Sequence, residues 1–244
     1  MFSLYAKVAV LAARRAVQSW PVALSLLVYA VILLVASQLT RPLGILGGMV
    51  MGLVLAACWS SYLELISRAI EGGRFRVSWE DFQKTFGARF WDVVSVMFAF
   101  WLLSLLTYPL TAGAKGPAFA AITGFAIAFF FNVVPELLYQ GSARSFLLLM
   151  ESARFMLDHA PVWLLPNLLF AAAWLGAAGA LDVRHPVELL ILFGNTFSSP
   201  LQIAQVFGRL PLWALPIELI GLHYVMVFRG LLFRALASGR RQVY

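Results

Sequence analysis

The chain has 244 residues, of which 62% are hydrophobic and only 12% are charged, and its formal net charge is +7. A soluble domain carries about twice that share of charge, so the composition excludes an ordinary soluble domain and predicts a membrane protein. The single cysteine, Cys58, excludes an intramolecular disulfide framework. Basic residues are spread over helix ends instead of one dense patch, which argues against nucleic-acid binding.

Residues 3–18 have the periodicity of an amphipathic helix, with Lys7, Arg14 and Gln18 on one side. This pattern is typical of a helix lying in a membrane surface, and packing against the protein's own helix ends is a compatible alternative. The segment lacks a charged region followed by a long apolar core and a cleavage site, so we expect no removable signal peptide. The apolar side is formed by Tyr5, Ala9, Ala12, Ala13 and Ala16.

Six later segments are apolar enough to cross a bilayer, since about 20 apolar residues span it as a helix. Polar stretches with amphipathic periodicity precede the third and fifth of them, within residues 67–89 and 142–159. The sequence therefore predicts an all-α polytopic integral membrane protein with six transmembrane helices. The predicted spans are residues 20–37, 43–66, 92–111, 118–139, 161–181 and 211–233.

Small residues recur at every fourth position in the second and fourth spans. Because small residues let helix backbones approach closely, we interpret both stripes as packing faces inside the protein, in preference to dimer contacts. A polar residue and then a glutamate, Glu64 or Glu136, follow each stripe. The first stripe is Gly44, Gly48, Gly52 and Ala56, and the second, 72 positions later, is Gly116, Ala120, Gly124 and Ala128.

The matching stripes predict an internal repeat, and Trp91 and Trp163, also 72 positions apart, extend it to a third unit. We predict a single membrane domain, residues 1–244, built from three parallel repeats. The third repeat departs from the pattern at residues 184–209, where polar residues interrupt the apolar run. We expect an insertion of short surface or re-entrant helices there. The repeats cover approximately residues 1–72, 73–144 and 145–244.

Most of the 18 Lys and Arg residues lie in the N-terminal segment, the second and fourth loops, and the C-terminal segment from Arg229 onward. By the positive-inside rule, both termini and all three amphipathic helices are expected in the cytoplasm. Their positive charge favours contact with anionic lipids of the cytoplasmic leaflet. Other membrane proteins are the alternative partners of these helices.

Charged side chains within spans are costly and are therefore functional candidates. Glu64 and Glu136 lie at the cytoplasmic ends of their spans. An ion pair with a nearby arginine, such as Arg68 for Glu64, is one interpretation. The other is that the two glutamates face a shared cavity and bind a cation or a basic partner. Asn132 and Asn167 are expected to form hydrogen bonds between helices.

Glu218 lies inside the predicted sixth span, roughly 10 Å of helix rise from its outer end. His223 follows on the same helix, but a spacing of five residues places the two on different faces. A buried structural hydrogen bond and a role in ion or substrate passage are both compatible with Glu218. We therefore take Glu218 and His223 as candidate functional residues together with Glu64 and Glu136.

No familiar enzyme motif is present, since the sequence has no HExxH, GxSxG, Walker A or Rossmann glycine pattern. The three histidines, His159, His185 and His223, are not spaced as metal ligands. We therefore expect a protein that is not an enzyme, with no catalytic residue, metal or cofactor. An intramembrane hydrolase of an undescribed kind is the alternative.

The segments SWEDFQKTFGARFW and SARSFLLLMESARFMLDHAP precede the third and fifth spans. In layout they resemble the YciC-like bacterial polytopic membrane proteins and the membrane-anchor region of some glycerophosphodiesterases. The resemblance covers most of the chain and implies a six-span array in the bacterial inner membrane. It brings no catalytic motif, because the catalytic part of those glycerophosphodiesterases is a separate domain.

These features favour a non-enzymatic integral membrane protein that acts as a scaffold or accessory subunit of a membrane process or complex. The alternative is a small-solute or ion permease with Glu218 in its pathway. A permease needs a continuous polar path, and the chain has few polar residues to line one. The scaffold is therefore the first hypothesis.

Overall fold

A computed structural model describes residues 2–71, 80, 84–111, 116–141, 146–177 and 215–241. Every regular element in those ranges is a helix, which confirms the all-α prediction. A short 3-10 turn, Arg41–Leu43, connects the second and third helices. The helices are α1 Phe2–Gln18, α2 Trp20–Thr40, α3 Ile45–Glu71, α4 Phe90–Thr111, α5 Gly116–Phe130, α6 Val134–Gln140, α7 Phe146–Ala177 and α8 Leu215–Arg241.

Five segments are long and apolar enough to cross a bilayer, and the fold is accordingly that of a membrane protein. The predicted span at 161–181 is not among them. Its residues to Ala177 continue the long helix α7, and its last residues lie outside the described ranges, as does the insertion expected at 184–209. The six-span count stays a prediction. The five segments are Trp20–Leu43, Ile45–Glu71, Phe90–Pro109, Ala118–Gln140 and Leu219–Ser238.

The chain divides into two compact units, one formed by Met1–Phe90 with Ser199–Tyr244 and the other by Trp91–Ser198. In the first unit, α8 packs against α1, α2 and α3, and α2 pairs with α3. In the second unit, α5 and α6 both pack against α7. The unit boundaries do not coincide with the predicted repeat boundaries at 72 and 144, and the repeat stays a prediction.

Apolar side chains fill the interior of each unit. In the first unit, fully or nearly fully buried residues include Ala12, Leu26, Leu63, Ile66 and Leu232. In the second unit they include Val96, Val133, Leu148, Met156 and Trp163.

The turn between α2 and α3 requires glycine at two positions of the sequence. Gly44 has a φ of 56°, a left-handed conformation that glycine adopts without steric cost. Gly47 lies against the end of α2, and a Cβ there would collide with the backbone carbonyl oxygen of Thr40. The glycine that close packing requires is therefore Gly47, which is outside the small-residue stripe.

The first stripe differs from the packing face that its spacing predicts. Among the described residues, no atom lies within 4 Å of the position that a Cβ would take on Gly48 or Gly52. Only Ala56, at the end of the stripe, is fully buried. Residues four apart drift by about 40° per step around a helix, so a long stripe need not meet one neighbour. In the second stripe Gly116 is buried and Ala120 is exposed.

Alanine substitutions at the adjacent residues Gly47 and Gly48 test which of the two glycines is required for helix packing. We expect Gly47→Ala to destabilise the protein by about 1–3 kcal/mol, because the new methyl group overpacks the α2–α3 turn. Gly48→Ala should be neutral or stabilising by up to about 1 kcal/mol, because it meets open space and favours the helix. Unfolding in mixed micelles measures both changes. A loss of stability in Gly48→Ala equal to that in Gly47→Ala would contradict this account.

Candidate functional site

The four candidate polar residues are distributed over both units. Glu64 and His223 belong to the first unit and Glu136 to the second. Glu218 lies within α8, but its side chain is outside the described part of the structure. Because α8 is helical through both Glu218 and His223, their five-residue spacing keeps them on different faces. This arrangement is unfavourable for direct proton transfer between them.

Glu64 bridges two arginines near the end of α3. Its Oε1 accepts a hydrogen bond from Nε of Arg68 at 3.4 Å, and its Oε2 accepts one from Nε of Arg89 at 2.9 Å. The ion pair with Arg68, four residues away on the same helix, confirms the pairing that the sequence favoured. Arg89 comes from just before α4, and no local pattern pointed to it. The three side chains are 19–31% exposed and carry a net positive charge.

A chain of hydroxyl groups lies deeper in the same unit. The Tyr29 hydroxyl donates to Ser61 Oγ at 2.7 Å, and Ser61 Oγ lies 3.4 Å from Thr85 Oγ1. Ser61 and Thr85 are fully buried. With the Glu64–Arg89 pair, this contact attaches the segment before α4 to α3 at two points. The partners are 24–32 residues apart, so sequence spacing could not reveal them.

His223 connects α8 to the junction of α1 and α2. Its Nε2 lies 2.9 Å from Ser19 Oγ, and the Ser19 hydroxyl donates to the Arg15 carbonyl at 2.7 Å. Because that hydroxyl proton is already used, Oγ accepts and Nε2–H of His223 donates. Nδ1 of His223 is buried without a hydrogen-bond partner among the described atoms. The contact also places His223 beside the first residues of α2.

Arg229 is a buried cation that the sequence reasoning missed. It is only 1% exposed and is among the largest fully buried side chains described. The charge count assigned it to the cytoplasmic C-terminal segment, whereas it lies inside the candidate span Leu219–Ser238. A charge within the apolar run VMVFRGLLF was the signal that could have identified it. α8 therefore contributes two buried polar side chains to the first unit, His223 and Arg229.

Glu136 does not lie at a solvated helix end, as its position in the sequence suggested. It is in the first turn of α6 and is fully buried. The reason is the packing of α6 against α7, which covers this end of the candidate span. Glu136 therefore belongs to the interior of the second unit.

The span that contains Glu136 is broken before it, at residues 131–133. Pro135 has no N–H to donate, and the N–H of Val134 bonds to the Phe131 carbonyl at 3.2 Å instead of continuing the α-helical pattern. The Phe130 carbonyl is thereby released from the helix. The hydroxyl of Ser152 in α7 donates to it at 2.7 Å.

Asn132, within the break, is also bound by α7. Its Oδ1 accepts a hydrogen bond from the Trp163 indole N–H at 2.8 Å, which confirms the expected bond between helices. Asn167 instead donates within α7, to the Trp163 carbonyl at 2.6 Å. The broken span is thus held to α7 by two side-chain hydrogen bonds, a partly buried one through Ser152 and a buried one through Asn132. Across the described ranges, no three or more His, Cys, Asp or Glu residues are grouped as metal ligands.

The Glu64 cluster predicts a measurable difference between two glutamates. Glu64→Gln removes the charge that faces both Arg68 and Arg89 and should lower stability by about 1–2 kcal/mol. The matched control is Glu80→Gln. Glu80 pairs with Lys84, and both side chains are more than 60% exposed, so the cost should be below about 0.5 kcal/mol. Equal effects in unfolding titrations would contradict the bridging role of Glu64.

The broken span predicts a similar contrast between two serines. Ser152→Ala leaves the Phe130 carbonyl without its donor and should destabilise the protein by about 1–3 kcal/mol. The control is Ser104→Ala in α4, where the exposed hydroxyl bonds to a carbonyl of its own helix. Its effect should lie within about 0.5 kcal/mol of zero. A Ser152→Ala protein as stable as the control would show that the break needs no support from α7.

Comparison with known proteins identifies no relative from which a function could be inferred. No protein family matches the chain, and no curated protein or solved structure is significantly similar to it. The resemblance to the YciC-like proteins therefore stays an interpretation of the sequence layout. The polar groups of the two units are the features from which a function has to be argued.

Proposed function

We propose that this chain is a non-enzymatic integral membrane protein that acts as a scaffold or accessory subunit of a membrane process or complex. The carrying observation is that several buried polar groups form hydrogen bonds to one another between distant segments of the chain. Tyr29, Ser61 and Thr85 bond to one another, as do Asn132 and Trp163. Such groups fix the positions of helices, and their polar atoms are occupied in doing so.

The outer surface of the spans supports the same proposal. Only 17% of the Phe90–Pro109 window and 22% of the Ala118–Gln140 window are buried within the chain. Large apolar side chains are open on both, such as Leu106 at 75% and Ile122 at 66% exposure. Lipid tails satisfy such a surface, and so do the helices of a partner membrane protein, which associate by packing.

The proposed location is the bacterial inner membrane, with both termini in the cytoplasm. Lys7 and Arg14 of α1 are exposed, and the Glu64 cluster adds partly exposed positive charge from Arg68 and Arg89. Positive charge beside a span is attracted to anionic headgroups. Anionic lipids of the cytoplasmic leaflet are therefore the proposed lipid partners of the amphipathic helices.

A specific observation favours the permease as the second candidate. α8 contains Glu218 and buries both His223 and Arg229. Ionisable residues are rare within membrane spans, and those that occur there often mark ion or substrate pathways. In this alternative, α8 lines the pathway and Glu218 binds the ion or the solute.

One purification tests the two candidates together. The chain is extracted in a mild detergent at native expression level, and co-purifying proteins are quantified by mass spectrometry. The scaffold proposal expects a partner at constant stoichiometry, and it expects the same partner to be retained in Glu218→Gln. The control is Glu80→Gln, which alters an exposed ion pair.

Flux measurements on the same preparations complete the test. The purified chain is reconstituted into vesicles and assayed for ion and solute passage. The scaffold proposal expects no flux from the chain alone. It would be overturned by a chain that purifies without partners and conducts a flux that Glu218→Gln abolishes and Glu80→Gln leaves intact.

A further inference from the structure

The helix α1 has an inward face that is already occupied by protein. At about 100° per residue, Val8, Ala12 and Ala16 fall on one arc of the helix. They are 6%, 0% and 7% exposed, where α1 packs against α8 and α3. Tyr5 and Ala9 fall on the same arc and are half-buried. Most of the apolar side that the sequence suggested for lipid contact is therefore used for packing within the first unit.

A second apolar stripe lies on the outside of α1. Its five residues fall within about 80° of arc, directly beside the inward face. Phe2, Val10 and Val17 are 85%, 57% and 73% exposed. Ala6 and Ala13 complete the stripe and are also exposed. We call Phe2, Ala6, Val10, Ala13 and Val17 the outward stripe.

A basic edge borders the outward stripe on its other side. Ser3, Lys7, Arg14 and Gln18 are all exposed and fall within the next 60° or so of arc. Helix α1 contains no acidic residue, so no carboxylate of α1 neutralises Lys7 or Arg14. Leu11, 42% exposed, lies beyond this edge. An apolar stripe beside an uncompensated basic edge matches the boundary between acyl chains and anionic headgroups.

We propose that α1 lies in the surface of an anionic leaflet, with the outward stripe at the acyl boundary and Lys7 and Arg14 at the lipid phosphates. The continuity of the chain supports a bilayer as the occupant, since the candidate span beginning at Trp20 follows α1 after the single residue Ser19. The inference rests on the proposed lipid contact of the amphipathic helices, and it assigns that contact to a particular face.

Insertion of α1 needs the contribution of its basic residues because the outward stripe has little apolar surface, with two alanines among its five residues. A basic residue near an anionic surface contributes about fivefold in binding. Lys7 and Arg14 together should therefore favour the inserted position about 25-fold in an anionic membrane over a neutral one. The stripe alone supplies the preference that remains in neutral lipid.

Site-directed spin labels test the placement. Cys58, the only cysteine, is buried and is replaced by alanine, and single cysteines are then introduced at Val10 or Val17 of the outward stripe. Ser3 and Gln18, exposed on the basic edge, are the matched label sites. The full chain is placed in nanodiscs of phosphatidylcholine, with or without about 30% phosphatidylglycerol. Accessibility to oxygen and to a water-soluble nickel chelate is measured at each site.

The expected result is high oxygen and low nickel accessibility at Val10 and Val17, with the reverse at Ser3 and Gln18. Equal nickel accessibility at all four sites would overturn the proposal, because the stripe would then face water. Low accessibility to both reagents at Val10 and Val17 would also overturn it, because a protein partner would cover the stripe. The second outcome leaves the scaffold proposal intact, so the two can fail separately.

A charge variant tests the role of the basic edge. With the label at Val10, Lys7→Gln combined with Arg14→Gln should lower the ratio of inserted to uninserted α1 about 25-fold in the anionic nanodiscs and leave that ratio unchanged in phosphatidylcholine. The control is Lys84→Gln, which removes an exposed charge outside α1. Identical insertion of the parent in both membranes would overturn the assignment to an anionic leaflet.

Discussion

A polar group in an apolar surrounding has no water to bind, so helix breaks and buried hydroxyl groups must find partners within the protein. This constraint accounts for the contacts of several buried polar groups in the two units. The span that breaks after Phe130 releases a carbonyl, and Ser152 of the neighbouring helix supplies the missing donor. In the first unit, Ser61 accepts the Tyr29 hydroxyl. Both contacts hold pairs of helices in register, which apolar packing alone specifies less sharply.

Packing places α8 at the centre of the first unit. It packs against α1, α2 and α3 and buries His223 and Arg229 among them. His223 reaches Ser19, the residue at which α1 ends and α2 begins. A polar contact with α8 therefore ties down the junction between α1 and α2.

Composition and apolar length were sufficient to predict an all-α membrane protein, and local spacing was sufficient for the pair of Glu64 with Arg68. Contacts between distant segments were not predictable in this way. Arg89 reaches Glu64 from 25 residues away, and no periodicity records that approach. The stripe at Gly48 and Gly52 likewise has no described neighbour, because small residues permit a close neighbour without specifying one. The buried state of Glu136 likewise depends on α7, which its own segment does not encode.

Helix α1 shows most directly what sequence periodicity cannot predict. Periodicity separates apolar from polar sides, but it does not say which apolar residues meet protein and which meet lipid. In a soluble protein the question does not arise, because one apolar face is buried and the rest is polar. In a membrane protein both kinds of contact are apolar, so Val8 and Val10 have similar side chains and different surroundings. The packing of α1 against α8 and α3 distinguishes them, because it buries Val8 and leaves Val10 and the rest of the outward stripe exposed.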